Sequence, residues 1–117
     1  IRDRLDIGLM PTIHNDAPIS PPDMMRLVWT SVTRRTRSGD ILGPTQRVSP
    51  YDALTMITRN AAWQIGEEDS KGQLVPGMRA DIVVLSADPT SVATDELLDI
   101  DIELTLKDGE PVFANTR

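Results

Sequence analysis

The apolar residues of this chain change rhythm once, and the change predicts an α+β fold. Between Ser20 and Gly66 they recur at helical spacing behind two helix-start signatures. From Gln73 onward they recur at every second residue, and Asp108–Gly109 supplies the two-residue signal of a tight hairpin. A short apolar run precedes both parts. The expected order is a strand, two capped helices and an antiparallel β section.

The first apolar run, Leu5–Ile13 ("LDIGLMPTI"), reads as a strand, with Pro11 removing a ladder donor and suiting an edge position. Ser20 is the expected N-cap of the next helix, Pro21 its first helical residue, and Asp23 follows three residues after the cap. Met25, Val28, Trp29 and Val32 then share one helical face, Arg34 to Arg37 occupy the last turns, and Gly39 can close them. Gly39–Val48 is a loop by its glycines and proline, and "SPYD" (Ser49–Asp52) repeats the helix-start signature. Leu54, Ile57 and Ala61 form the expected apolar stripe of the second helix, flanked by Ala53, Ala62 and Trp63, with Gly66 ending it. Glu67–Gly72 is an acidic turn.

The period of two then takes over. Gln73–Val75 is a short predicted strand, and Pro76–Gly77 suits the centre of a type II turn. Ala80–Leu85 is β-branched and expected to be mostly buried, and one helical turn is expected around Asp95–Leu98. Ile102–Lys107 alternates with Ile102, Leu104 and Leu106 on one face, and Asp108–Gly109 fits a type I′ turn returning through "EPVFA". Asp81 is expected to satisfy backbone donors near its turn.

Composition narrows the function classes. A chain of 117 residues builds one domain with a modest core, and its 39% hydrophobic and 26% charged content is that of a soluble globular protein. No apolar run reaches membrane-spanning length, and the N-terminus does not resemble a signal peptide. The absence of cysteine excludes disulfides and thiol nucleophiles, and fits a cytoplasmic setting. Residues 1–48 carry seven Arg and five Asp, a net +2. Residues 49–117 carry five Lys or Arg and thirteen Asp or Glu, a net −8. So acidic a chain is expected to bind neither nucleic acid nor an anionic membrane, and the local "RRTR" cluster reads as a basic helix end. The opening "IRDRLDIG" has no initiator Met and no small residue that would follow one after trimming, so a piece of a longer protein is expected.

Chemistry has few candidates. His14 is the single histidine and Asp16 lies two residues on, in "IHNDAP". One imidazole supplies one metal ligand where zinc needs three or four, so these residues alone do not make a metal centre. Asp16 reads equally well as a cap or dipole partner of the following helix, and His14 as a turn residue. Against that, a strand ending in a polar cluster that feeds a capped helix is the junction where α/β barrels place their chemistry. There is no glycine-rich phosphate loop, GxSxG elbow or Cys/His pair, and "GQLVPG" is turn chemistry.

With these residues identified, the chain resembles the C-terminal part of the amidohydrolase superfamily, in particular its N-substituted formamide deformylase-like metal-dependent hydrolases. "IHNDAPISPPD" resembles that branch's eighth-strand motif, His-Ser-Asp followed by a small residue and Pro. "YDALTMITRNAAWQIGEEDSKGQLVPGMRADIVVLSADP" resembles the helix and returning strands that close the small β-sandwich, with the pattern Gly-x-Leu-x-x-Gly-x-x-Ala-Asp-hydrophobic. "TLKDGEPVF" resembles the last hairpin. The departures are Asn15, where Ser is usual and which could still orient Asp16, and Pro11 within the strand.

The resemblance implies an α+β fragment: the last strand and helices of a (β/α)8 barrel over 1–66, and the C-terminal strands of a small β-sandwich over 67–117. It implies a metal-dependent hydrolase cleaving a non-peptide C–N bond of a small-molecule amide. Its divalent metal, zinc, would be held in the full-length enzyme and not tightly by this chain alone. Asp16 would be the catalytic proton-transfer carboxylate and metal-edge ligand, and His14 a substrate-binding donor. The expected partners are the missing N-terminal part and further copies of the same chain. Two other readings stand beside it: a metal-free β-sandwich module that binds a partner chain, and an autonomous acidic interaction domain.

Overall fold

The computed structural model describes residues 1–116. Its helices are α1 (Arg2–Asp6), α2 (Met24–Thr33), α3 (Pro50–Ile57) and α4 (Arg59–Gln64), with 3₁₀ turns at Pro44–Gln46 and Thr94–Asp99. Its strands are β1 (Ile82–Leu85), β2 (Ile102–Lys107) and β3 (Glu110–Ala114), in one antiparallel sheet of that order. The α+β order of the sequence therefore holds, with differences at several elements. No helix among the described residues is long and apolar enough to cross a membrane.

The predicted strand Leu5–Ile13 does not form. Its first residues close α1, where Arg2 Nε and Nη2 donate to Asp6 Oδ1 at 2.8 and 2.6 Å. Leu9 to Asn15 run on without regular structure. A strand exists only by pairing, and no other strand lies beside this segment among the described residues. Side chains of α4 hold it instead. Asn60 Nδ2 donates to the Pro11 carbonyl at 2.9 Å, and the Thr12 hydroxyl donates to Gln64 Oε1 at 2.8 Å.

Helix α2 begins later than Ser20. Pro22 forces Pro21 out of helical conformation, because the residue before a proline clashes with its ring. The cap therefore falls on Asp23, whose carboxylate accepts from the Arg26 N–H at 3.0 Å. The helix also ends before Gly39. Arg34 takes the left-handed C-cap conformation at φ 57°, its N–H donating to Thr30 O at 2.8 Å, and residues 35–41 form a small turn of their own. Met25 and Val28 are buried and Trp29 and Val32 half-buried, as the spacing predicts.

Ser49 and Asp52 form the expected capping box of α3. One helix running to Gly66 was expected, but the chain breaks at Thr58 (φ −122°, ψ −90°), giving α3 and α4. The buried stripe is Ala53, Met56 and Asn60, with Leu54, Ile57 and Ala61 half-buried at its side. The polar Asn60 disguised that stripe. It is buried because its amide serves the Pro11 carbonyl. The core joins Met25 and Val28 of α2 to Val48, Ala53, Met56, Leu97 and Ile100, so α2 lies between α3 and the 3₁₀ turn at 94–99.

Gln73–Val75 is loop rather than strand, closed by Arg79 N–H donating to Ser70 O at 2.9 Å. The Val75–Met78 turn is present, with Met78 N–H to Val75 O at 3.2 Å. In β1, Val83 and Val84 are 51% and 40% exposed, against the expected burial. Only its ends are half-buried, at Ile82 and at Leu85, which packs against the core. Asp108 and Gly109 both have positive φ (51° and 83°), which defines the type I′ turn. Asp81 Oδ1 accepts the Asp108 N–H at 2.9 Å, fulfilling the role expected of it.

Candidate functional site

The segment from His14 to Asp23 is a bonded loop leading into α2. The Asp16 N–H donates to His14 Nδ1 at 3.1 Å, and the Asp16 carbonyl accepts from the Ile19 N–H at 2.8 Å. The Ala17–Pro18 peptide inside this turn is cis. The Ser20 hydroxyl donates to the Asn15 carbonyl at 2.5 Å, and Asn15 Nδ2 points to the Asp23 carbonyl at 3.4 Å. Asn15 thus ties the loop to the start of α2 and does not orient the Asp16 side chain.

Asp16 itself is held at φ 54°. Left-handed backbone is uncommon outside glycine, and aspartate is among the residues that tolerate it best. Its backbone is fixed on both sides, yet its exposed carboxylate has no hydrogen bond or ion pair among the described residues. It does not cap α2, because Asp23 does. The capping role weighed for Asp16 is thereby removed.

His14 is exposed, and with Nδ1 accepting a backbone N–H its neutral ring carries the proton on Nε2. It lines a hollow of about 280 Å³ with Thr12, Leu27, Thr30, Ser31 and Arg34. A larger hollow of about 490 Å³ lies between Met25 and the strands β2 and β3 and includes neither His14 nor Asp16. Asp23, at the end of the His14–Asp23 loop, is part of its lining.

Among the described residues no three His, Cys, Asp or Glu side chains converge closely enough to hold a metal ion. Asp16 offers one suitable carboxylate, but these residues alone do not fit a resident metal. Two carboxyls in turns away from this loop are held more acidic by their hydrogen bonds. Hydrogen bonds from the Thr90 hydroxyl and N–H and the Ser91 hydroxyl lower the pKa of Asp88, and the bond from Lys71 lowers that of Glu67. The sequence reading missed Ser20 as the clasp of the loop, since its place before two prolines resembles a helix cap.

The chain has known relatives. The Amidohydrolase family matches residues 1–113, and the chain belongs to that family. It is 34% identical over 116 residues to an N-substituted formamide deformylase of Arthrobacter pascens, covering 99% of this chain and 21% of that protein. Among solved structures, an amidohydrolase of Thermotoga maritima superposes with a TM-score of 0.66 at 25% identity, over 95% of this chain and 24% of the other. Guanine deaminase of E. coli shares the fold, with a TM-score of 0.70 at 23% identity over 98% of this chain and 30% of the other. The chain thus spans about a fifth to a third of the length of these relatives.

Proposed function

We propose that this chain is the C-terminal part of a metal-dependent amidohydrolase that hydrolyses a non-peptide C–N bond, of amide or formamide type. Asp16 is its proton-transfer carboxylate and metal-edge ligand, and His14 a substrate-binding donor. Residues 1–66 would complete the end of a barrel, and 67–117 the last strands of a β-sandwich. The observation that carries the reading is the Asp16 loop, in which a left-handed aspartate is bonded through its backbone while its carboxylate is left without a partner. The family match and the similarity to a formamide deformylase support the reaction class.

Hydrolysis adds water across the C–N bond. The water oxygen bonds to the carbonyl carbon, the C–N bond breaks, and a proton from the water must reach the leaving nitrogen. A carboxylate can take that proton and then return it, acting as base and then as acid. An exposed Asp16 with open lone pairs is suited to both halves. A divalent metal, zinc in this reading, would be held by Asp16 together with ligands from the rest of the protein, and would supply polarisation of the carbonyl and a lowered pKa of water.

The exposed Val83, Val84, Val112 and Phe113 of the sheet favour a second reading, a metal-free interaction module. Assay of the whole protein separates the two. Our reading predicts amine release from a simple N-substituted formamide, loss of that activity on chelation, and recovery on adding zinc. A whole protein unable to hydrolyse any amide, with or without zinc, would favour the interaction module.

A further inference from the structure

We propose that Ile19 is a specificity-determining residue whose side chain receives an apolar substituent on the leaving nitrogen of the substrate. The inference rests on the reading of Asp16 as the proton-transfer group and adds which part of the substrate the neighbouring side chain reads. Ile19 is 82% exposed, more than any other large apolar residue among those described. It does not hang from a slack loop. Its N–H is bonded to the Asp16 carbonyl at 2.8 Å, and the next residue, Ser20, closes the loop onto Asn15 at 2.5 Å. Pro18, Pro21 and Pro22 fix φ on either side of it. A bulky aliphatic side chain is therefore held in the open within one turn of the carboxylate.

The chemistry says what meets it. To receive a proton from Asp16, the leaving nitrogen must come within hydrogen-bond reach of the carboxylate. Whatever that nitrogen carries then lies just beyond, beside Ile19. An apolar group there sheds water together with the isoleucine. A hydroxyl or charged group loses its own hydration against a surface that offers no hydrogen bond in return.

The test compares N-methyl-, N-butyl- and N-(2-hydroxyethyl)formamide as substrates of the whole protein and its Ile19→Ala and Ile19→Val variants. Ile19→Ala is expected to lower kcat/KM for the butyl substrate by about 10-fold or more, chiefly through KM, and to change the methyl substrate by less than about 3-fold. Ile19→Val should fall between, and it decides the matter if Ile19→Ala does not fold. Equal loss on all three substrates, or none, overturns the inference. Asp16→Asn is measured alongside. If it abolishes turnover while the Ile19 variants show no selectivity, only the role of Ile19 fails. If it leaves kcat unchanged, both readings fail.

Discussion

Asp16 and Asp23 are both exposed or half-exposed aspartates near the start of one helix, and the structure gives them different work. The Asp23 carboxylate accepts a backbone N–H at the helix end, whereas the Asp16 carboxylate accepts none among the described residues and stays open. His14 divides its ring in the same sense, one nitrogen holding the Asp16 N–H and the other without a hydrogen bond among the described residues. Asparagine separates these two functions. Its amide oxygen lies where Nδ1 does and can keep the backbone contact, but its shorter side chain has no group where Nε2–H lies. His14→Asn is therefore expected to raise KM by about 3- to 10-fold, the worth of one hydrogen bond, with a smaller fall in kcat. Steady-state kinetics on the whole protein measures it, and a fall confined to kcat would place His14 in the proton path instead. The pair His14 and Asp16 was visible in the sequence as residue types. The left-handed backbone that displays Asp16 was not, because nothing in "HND" distinguishes it from an ordinary turn until the bonds to His14 and Ile19 are seen.

At the level of elements, the segments defined by local chemistry were legible and those defined by partners were not. The Ser49–Asp52 capping box and the Asp108–Gly109 hairpin are written in residues that touch each other, and both form as read. The boundary of α2 was misplaced because two consecutive prolines override a good cap residue. Leu5–Ile13 and Gln73–Val75 have strand-like composition but no strand beside them among the described residues. The hairpin offers a clean test of the part that was legible. A Cβ at Gly109 would meet only the Ala80 Cβ at 3.8 Å, so space is not limiting, and the cost of a side chain there is its φ of 83°. Gly109→Val is expected to destabilise the chain by roughly 1 kcal/mol or more. Thermal melting should show a drop of about 4 °C or more. An unchanged melting temperature would mean that the turn tolerates β-branched residues and that its type I′ geometry is not needed.

The whole molecule is looser than its length requires. Its radius of gyration is 14.8 Å, above the roughly 13 Å of a compact domain of this size. Among the described residues eight apolar residues are buried, while seventeen large ones are exposed, so many large apolar side chains lie outside the chain's own core. The outer edges of β1 and β3 are also unpaired among the described residues, and Pro111 is the one edge-blocking residue of β3. Residues 1–117 prepared alone are therefore expected to form dimers or larger assemblies. Light scattering over a range of concentrations checks this, and a persistent monomer would show that the exposed sheet is self-sufficient. The same surface explains the limit of sequence reading at this scale. Val83 and Val84 carry the composition of buried strand residues, and composition does not say which chain covers them.

The central claim is that Asp16 carries the proton in C–N bond hydrolysis, and Asp16→Asn tests it most directly. Asparagine keeps the size of the side chain and the left-handed tolerance of the backbone while removing charge and basicity. Asp23→Asn, measured in parallel, makes the same chemical change at the helix cap, where asparagine serves nearly as well. The account predicts a fall in kcat of about 10²- to 10⁴-fold for Asp16→Asn, with folding intact, and little change for Asp23→Asn. A kcat for Asp16→Asn close to that of the parent enzyme would contradict it and leave the loop a structural turn.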